Sequence, residues 1–116
     1  MPNNSVQLNR VFQALADPTR RAVLQRLSSG AAPVTRLAAP FDMALPSFLQ
    51  HLRVLEGCGL VRSRKSGRVR TYQISPEPLK AAEGWMKHQR ALWERRLDQL
   101  DRYVEELGPT MSPTRK

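Results

Sequence analysis

Apolar residues recur at spacings of three and four along the first thirty residues of the chain. This pattern predicts an amphipathic helix over residues 6–16 and a second helix that ends at Ser28-Ser29-Gly30. The sequence Asp17-Pro18-Thr19 opens the second helix, because Asp can accept the free N–H groups of a first turn and Pro fits its first position. Each helix is expected to bury one stripe of its surface.

A short helical pattern and a longer one come next. Residues 34–39 fit about two turns of helix, which Pro40 stops. Residues 44–57 then carry an inner line formed by Phe48, Leu52 and Leu55. The far side of this longer helix is mostly polar and carries Ser47, Gln50 and Arg53, with His51 on a flank. Two helices joined by a tight turn are a helix-turn-helix candidate, whose second helix fits a DNA major groove.

From residue 60 to residue 74 the pattern changes to an alternating one, interrupted by Gly67. It predicts two strands around a glycine-bearing turn. Five of the nine residues from 62 to 70 are basic, namely Arg62, Arg64, Lys65, Arg68 and Arg70. Such residues also serve as a solvated strand edge. Because this hairpin directly follows a helix-turn-helix, contact with DNA phosphates is the favoured interpretation.

The last long pattern predicts one helix over residues 76–107, about 48 Å long at 1.5 Å per residue. Its apolar residues follow a 4-3-4-3 spacing at Trp93, Leu97, Leu100, Val104 and Leu107. Since a helix of this length extends beyond a small core, the stripe needs a partner. Residues 109–116, rich in Pro, Thr and basic side chains, are expected to form a flexible tail.

Charge separates the chain into two parts. The 116 residues contain 19 Lys and Arg against 10 Asp and Glu, a formal net charge of +9. Residues 1–74 hold 11 of these cations and only three of the carboxylates, while residues 75–116 are nearly neutral. A basic first part favours a polyanionic partner, with double-stranded DNA the leading candidate.

Composition also excludes several classes of protein. No run approaches the roughly 18 apolar residues of a membrane span, and the first residues do not resemble a secretory signal, so a cytoplasmic protein without membrane contact is expected. The single cysteine, Cys58, cannot form an internal disulfide and leaves few side chains for a metal site. No phosphate loop or Ser/Cys–His arrangement indicates an enzyme, and no cofactor is expected.

The order helix, helix, helix, helix, hairpin, helix is that of a winged helix with an added terminal helix. Over roughly residues 8–100 the sequence resembles the ArsR/SmtB-type bacterial transcriptional regulators. The matching stretches are Phe12-Gln13-Ala14-Leu15-Ala16-Asp17-Pro18-Thr19-Arg20-Arg21, Phe41-Asp42-Met43-Ala44-Leu45-Pro46-Ser47, Gln50-His51-Leu52-Arg53-Val54-Leu55, Gly59-Leu60-Val61, and the Gly67-Arg68 wing leading to Tyr72. The resemblance implies a homodimeric repressor whose second helix of the helix-turn-helix reads operator DNA.

Two departures from the family pattern refine this expectation. Leu49 stands where relatives commonly carry Ser, which removes one hydroxyl from a flank of the recognition helix. Residues 33–39 lack the Cys-x-Cys pair of metal-sensing members, and the terminal helix offers only His88 as a histidine ligand. The chain is most similar to the metal-independent branch with a Met-Ala-Leu-Pro-Ser-Phe type of recognition helix, and no metal site is expected.

We therefore predict a mainly α fold with a small β-hairpin wing, in a single domain over residues 1–108. The predicted DNA contacts are Ser47, Gln50, His51, Arg53, Arg64, Lys65, Arg68 and Arg70. The predicted dimer interface contains Leu8, Phe12, Trp93, Leu97, Leu100, Val104 and Leu107.

Two alternatives to a DNA-binding repressor stay open: a winged-helix adaptor for another protein, and a sensor that binds an unknown small-molecule effector between its terminal helices. Trp85, Met86, Trp93 and Tyr103 could line such an effector pocket, although this spacing is more typical of a core or a dimer seam. Cys58 is interpreted as a small apolar residue, with a thiol switch across the dimer as the alternative.

Overall fold

The computed structural model describes residues 4–108, so the predicted tail lies outside the described residues. The elements in chain order are α1 (Asn4–Leu15), α2 (Pro18–Leu27), β1 (Ala32–Pro33), α3 (Val34–Ala38), α4 (Leu45–Gly57), β2 (Val61–Ser66), β3 (Val69–Ile74) and α5 (Glu77–Leu107). The prediction of a mainly α fold with a small wing and a long C-terminal helix is confirmed.

The chain forms two compact units, one ending at Ala82 and the other beginning at Glu83. The first unit contains everything from α1 to the first turns of α5. The second contains the remainder of α5, which is 31 residues long in all, or about 46 Å at 1.5 Å per residue.

The start of α2 follows its sequence signal. The Asp17 carboxylate caps the helix by accepting the Arg20 backbone N–H at 3.0 Å, and Pro18 occupies the first turn. The Arg20 guanidinium turns back to α1, where Nε donates to the Ala14 carbonyl at 2.8 Å and Nη2 to that of Gln13 at 3.0 Å. One Arg therefore donates to two carbonyls in the last turn of α1.

The sheet contains a strand that the hydrophobic pattern did not predict. Its order is β1-β3-β2, with every pair antiparallel, and β1 places Ala32 opposite Tyr72. A two-residue strand has no alternation to detect, and Pro33 is tolerated because an edge strand need not donate every N–H. The wing is thus the outer part of a three-stranded sheet.

The hairpin between β2 and β3 turns at Gly67, whose φ is +63°. No non-glycine residue among those described has a positive φ. A positive φ at the first of two loop residues, here Gly67 followed by Arg68, is the pattern of a type II′ turn, which matches the twist of the flanking strands. Glycine is favoured there because a side chain would strain this conformation.

The core of the first unit fixes the orientation of α4. Phe48, Leu52 and Leu55 are each at most 1% exposed, as the inner line of the helix predicted. They belong to one cluster with residues elsewhere in this unit, among them Val11, Leu27, Leu37, Leu60 and Val61. Because the buried line occupies one side of α4, the polar side chains on the opposite side are directed outward.

Candidate nucleic-acid interface

The outer face of α4 presents the three side chains predicted to read bases. Ser47, Gln50 and Arg53 are all exposed, each one turn from the next. Arg53 Nε donates to the Gln50 Oε1 atom over 3.4 Å, so the two longest side chains of this face lie side by side. Leu49, on the flank, is half-buried against the core. Amide, guanidinium and hydroxyl groups at this spacing can form hydrogen bonds with base edges in a major groove.

His51 faces the junction between α1 and α2. Its Nδ1 lies 3.1 Å from Nη1 of Arg20 and 3.7 Å from Oδ2 of Asp17. Since a guanidinium only donates, Nδ1 accepts, and a neutral ring then carries its proton on Nε2. The histidine therefore ties α4 to the capped start of α2, a partnership that the sequence did not predict.

The Asp17 carboxylate at this junction favours its charged form. Partial burial acts to raise its pKa, but the hydrogen bond from the Arg20 backbone N–H, the charge of His51 when its ring is protonated, and the Arg20 charge outweigh this effect, so the pKa is below its ordinary value of 3.8. The junction is thus held by an ionised cap.

The predicted wing cations are all exposed: Arg64, Lys65, Arg68 and Arg70. The strand register places Lys65 directly opposite Arg70, and Arg64 opposite Thr71 on the other face. Like charges directly opposite each other destabilise a strand pair. The repulsion between Lys65 and Arg70 therefore destabilises the wing, and a bound polyanion would reduce this repulsion.

A short polar network joins the wing to α4. Arg70 Nη1 donates to Ser63 Oγ at 2.7 Å, and Ser63 Oγ donates to Glu56 Oε2 at 2.7 Å. Tyr72 lies opposite Ser63 in the sheet and is 5% exposed. Burial, followed by the Glu56 charge, raises the pKa of Tyr72, while Arg70 and the Ser63 hydrogen bond act in the opposite direction.

Sequence reasoning missed Glu56 and Ser63 as members of this interface. One signal was available, because Glu56 is the single carboxylate between Asp42 and Glu77, in the most basic part of the chain. A lone acidic residue beside a basic hairpin is a reason to look for a specific partner.

The predicted dimer residues occur in both units. Leu8 and Phe12 are half-buried and pack against the core of the first unit. In the second unit the α5 stripe is open within the single chain, with exposed fractions of 69% for Trp93, 59% for Leu97 and 55% for Leu100. Val104 and Leu107 continue the same line and are also exposed.

Within residues 4–108, none of the helices has both the length and the hydrophobicity of a membrane span, and no group of three or more His, Cys, Asp or Glu side chains could hold a metal ion. Cys58 is buried, with its Sγ 3.4 Å from the Leu55 carbonyl, as expected for a small apolar residue at a helix end.

Known proteins share this arrangement. Residues 15–64 match the model of a helix-turn-helix domain family. The chain is 44% identical over 73 residues to the HTH-type transcriptional regulator Rv2034 of Mycobacterium tuberculosis, covering 63% of this chain and 68% of that protein. It is 30% identical over 79 residues to the transcriptional repressor SdpR of Bacillus subtilis, covering 68% and 88%.

Solved structures of transcriptional regulators are also similar to this chain. The crystal structure of the ArsR family transcriptional regulator RHA00566 is similar with a TM-score of 0.76 and 58% identity, covering 81% of this chain and 97% of that one. An ArsR-like transcriptional regulator from Rhodococcus sp. RHA1 has a TM-score of 0.74 and 30% identity, covering 87% and 95%.

A helix-turn-helix followed by a sheet with a basic hairpin defines the class: this is a winged helix-turn-helix protein that binds DNA and regulates transcription. The comparisons then identify its family. The chain belongs to the ArsR family of transcriptional regulators.

Proposed function

We propose that the protein is a cytoplasmic homodimer that represses transcription by occupying a palindromic operator within a promoter. The observation that carries this proposal is the two-sided nature of α4, whose inner line is buried while Ser47, Gln50 and Arg53 are exposed together. The similarity to SdpR, a transcriptional repressor, supports the direction of regulation.

In the proposed complex, α4 enters the major groove and its three outer side chains contact base edges. The exposed cations of the wing, Arg64, Lys65 and Arg68, contact phosphates and supply affinity that does not depend on sequence. His51 fits a supporting role, because the Nε2–H of its neutral ring could donate to a phosphate while Nδ1 stays with Arg20. Arg70 is already engaged with Ser63 and is considered separately below.

The homodimer is proposed because one winged helix covers only one half-site. Two half-sites about 34 to 36 Å apart require two recognition helices at a fixed spacing, related by a two-fold axis. The exposed stripe of α5 supplies an apolar surface long enough for a self-complementary contact. Leu8 and Phe12, half-buried on α1, are also proposed to contact the partner copy.

Footprinting on the DNA upstream of the protein's own gene, with transcription by purified RNA polymerase, tests the proposal. We expect protection of two half-sites related by a two-fold axis, and less transcript as protein is added. A variant carrying Gln50→Ala and Arg53→Ala is the matched control, because it should keep the fold and lose the footprint. Protection of one half-site would contradict the homodimer, and a rise in transcript would contradict repression.

A further inference from the structure

The end of α4 and the inner face of the wing meet at three side chains, Glu56, Ser63 and Arg70. The Ser63 hydroxyl lies between the other two, 2.7 Å from Glu56 Oε2 and 2.7 Å from Arg70 Nη1. Glu56 belongs to α4, whereas Ser63 and Arg70 belong to β2 and β3. One hydroxyl thus connects the recognition helix to both strands of the wing.

The Ser63 hydroxyl has a different role in each of its two hydrogen bonds. The hydroxyl has one proton, which it donates to the carboxylate, and its lone pairs accept from the guanidinium. Both hydrogen bonds involve a charged group and are therefore stronger than neutral ones. Tyr72, the partner of Ser63 in the strand register, is buried, so this part of the sheet is held by the core.

Glu56 lies where a carboxylate is unfavourable for DNA binding, so its hydrogen bond with Ser63 calls for a functional explanation. A carboxylate next to a DNA interface repels phosphates and lowers affinity. Here it is the one acidic residue between positions 42 and 77, and it holds a serine that in turn holds an exposed arginine. An acidic group in that place is useful if it restrains a cation that would otherwise move freely.

We propose that Glu56 and Ser63 restrain Arg70 as a latch between α4 and the wing, which makes Arg70 a positioning residue instead of a phosphate contact. The latch fixes the distance between the base-reading face of α4 and the phosphate-binding cations of the wing. Sequence discrimination then depends on it, because bases and phosphates must be met in one register. This inference rests on the proposed DNA interface.

The test compares binding to the footprinted operator and to a random duplex across a range of salt concentrations. Arg70→Gln and Ser63→Ala should each lower the operator-to-random affinity ratio by roughly five- to tenfold, the size expected for the loss of one typical hydrogen bond. The salt slope of Arg70→Gln on random DNA should equal that of the unmodified protein. A phosphate contact would instead reduce the slope by about one.

Two further variants separate a latch from a general loss of structure. Ser63→Thr keeps the hydroxyl in a strand and should restore the ratio, while Ser66→Ala removes an exposed serine from the same strand and should not change it. The double variant Arg70→Gln with Ser63→Ala should lose no more discrimination than either single one, because both break the same network.

The outcomes are distinguishable from failure of the proposed function. An unchanged ratio in Arg70→Gln, additive losses in the double variant, or a salt slope lower by about one would overturn the latch. If Arg64→Ala and Arg68→Ala also leave the slope unchanged, the wing does not contact phosphate, and its proposed role fails together with the latch. Loss of the operator footprint would instead mark failure of the proposed function.

Discussion

Gln50 and Arg53 lie one turn apart on the open face of α4, with Arg53 Nε donating to Gln50 Oε1 over 3.4 Å. A glutamine amide can form a bidentate contact with adenine, and Gln50 is therefore proposed to read particular bases. We expect Gln50→Ala to weaken operator binding by about 1 to 3 kcal/mol and to relax preference at one or two positions, with little effect on random DNA.

Titration of operator duplexes with single base changes measures this effect. Gln25→Ala, which removes another exposed glutamine from α2, is the matched control and should not change operator affinity. Equal losses on operator and random DNA would place Gln50 on the sugar-phosphate backbone.

Asp17 provides a prediction about pH. Burial acts to raise its pKa in the folded protein, but the Arg20 backbone hydrogen bond, the charge of His51 when its ring is protonated, and the Arg20 charge lower it overall. Its contribution to stability is therefore present above the unfolded value, near 3.8, and is lost as pH falls through the folded pKa. Asp17→Ala should destabilise the protein by about 1 kcal/mol at neutral pH, the usual effect of losing an N-cap.

Urea unfolding at several pH values checks this expectation. The difference between Asp17→Ala and the unmodified protein should shrink below about pH 4, where the carboxylate becomes protonated. Asp42→Ala, which removes an exposed carboxylate outside the helices, should show a smaller difference at every pH. A difference that is independent of pH would mean that the carboxylate charge does not contribute.

At the residue scale, the sequence could predict which way a side chain points but not which residues it contacts. The outward position of Ser47, Gln50 and Arg53 follows from the angle of about 100° between successive residues in a helix. The contact of Arg20 with His51 joins positions 31 apart in the chain, and no local pattern encodes it. The network around Ser63 likewise depends on how closely α4 and the wing approach each other.

Among the elements, the hairpin of the wing could be predicted from the sequence, but strand β1 beside it could not. Alternation and Gly67 sufficed for the hairpin, but β1 is only two residues long and forms because Ala32 and Pro33 pair with β3. Its stability comes from tertiary packing, with Ala32 buried in the core, and not from intrinsic strand propensity.

The wing cations should supply affinity without specificity. Arg64→Ala or Arg68→Ala is expected to weaken operator and random DNA alike and to lower the salt slope by about one unit, because each cation removed leaves one phosphate without a contact. Measurement of affinity at several salt concentrations checks this. Arg26→Ala, at the exposed end of α2, is the control and should leave the slope unchanged. An unchanged slope in both wing variants would show that the wing does not reach the DNA backbone.

At the scale of the whole molecule, the exposed stripe of α5 is the surface proposed for contact between two copies of the chain. Trp93, Leu97, Leu100, Val104 and Leu107 follow the predicted 4-3-4-3 spacing along one line of the helix and are all exposed in the single chain. An amphipathic helix of this length is stabilised by burial of its apolar line. A second copy of the chain offers an identical line, as a two-fold interface requires.

Replacing Leu97 and Leu100 together by Glu would place like charges in that seam. We expect a monomer that keeps weak binding through its wing but loses the palindromic operator, since one copy reaches only one half-site. His88→Glu with Ala91→Glu adds two carboxylates to the opposite side of the same helix and should stay dimeric. Sedimentation at micromolar concentration distinguishes the two: a dimer in the leucine variant would place the seam elsewhere, and the spacing of the recognition helices would need another explanation.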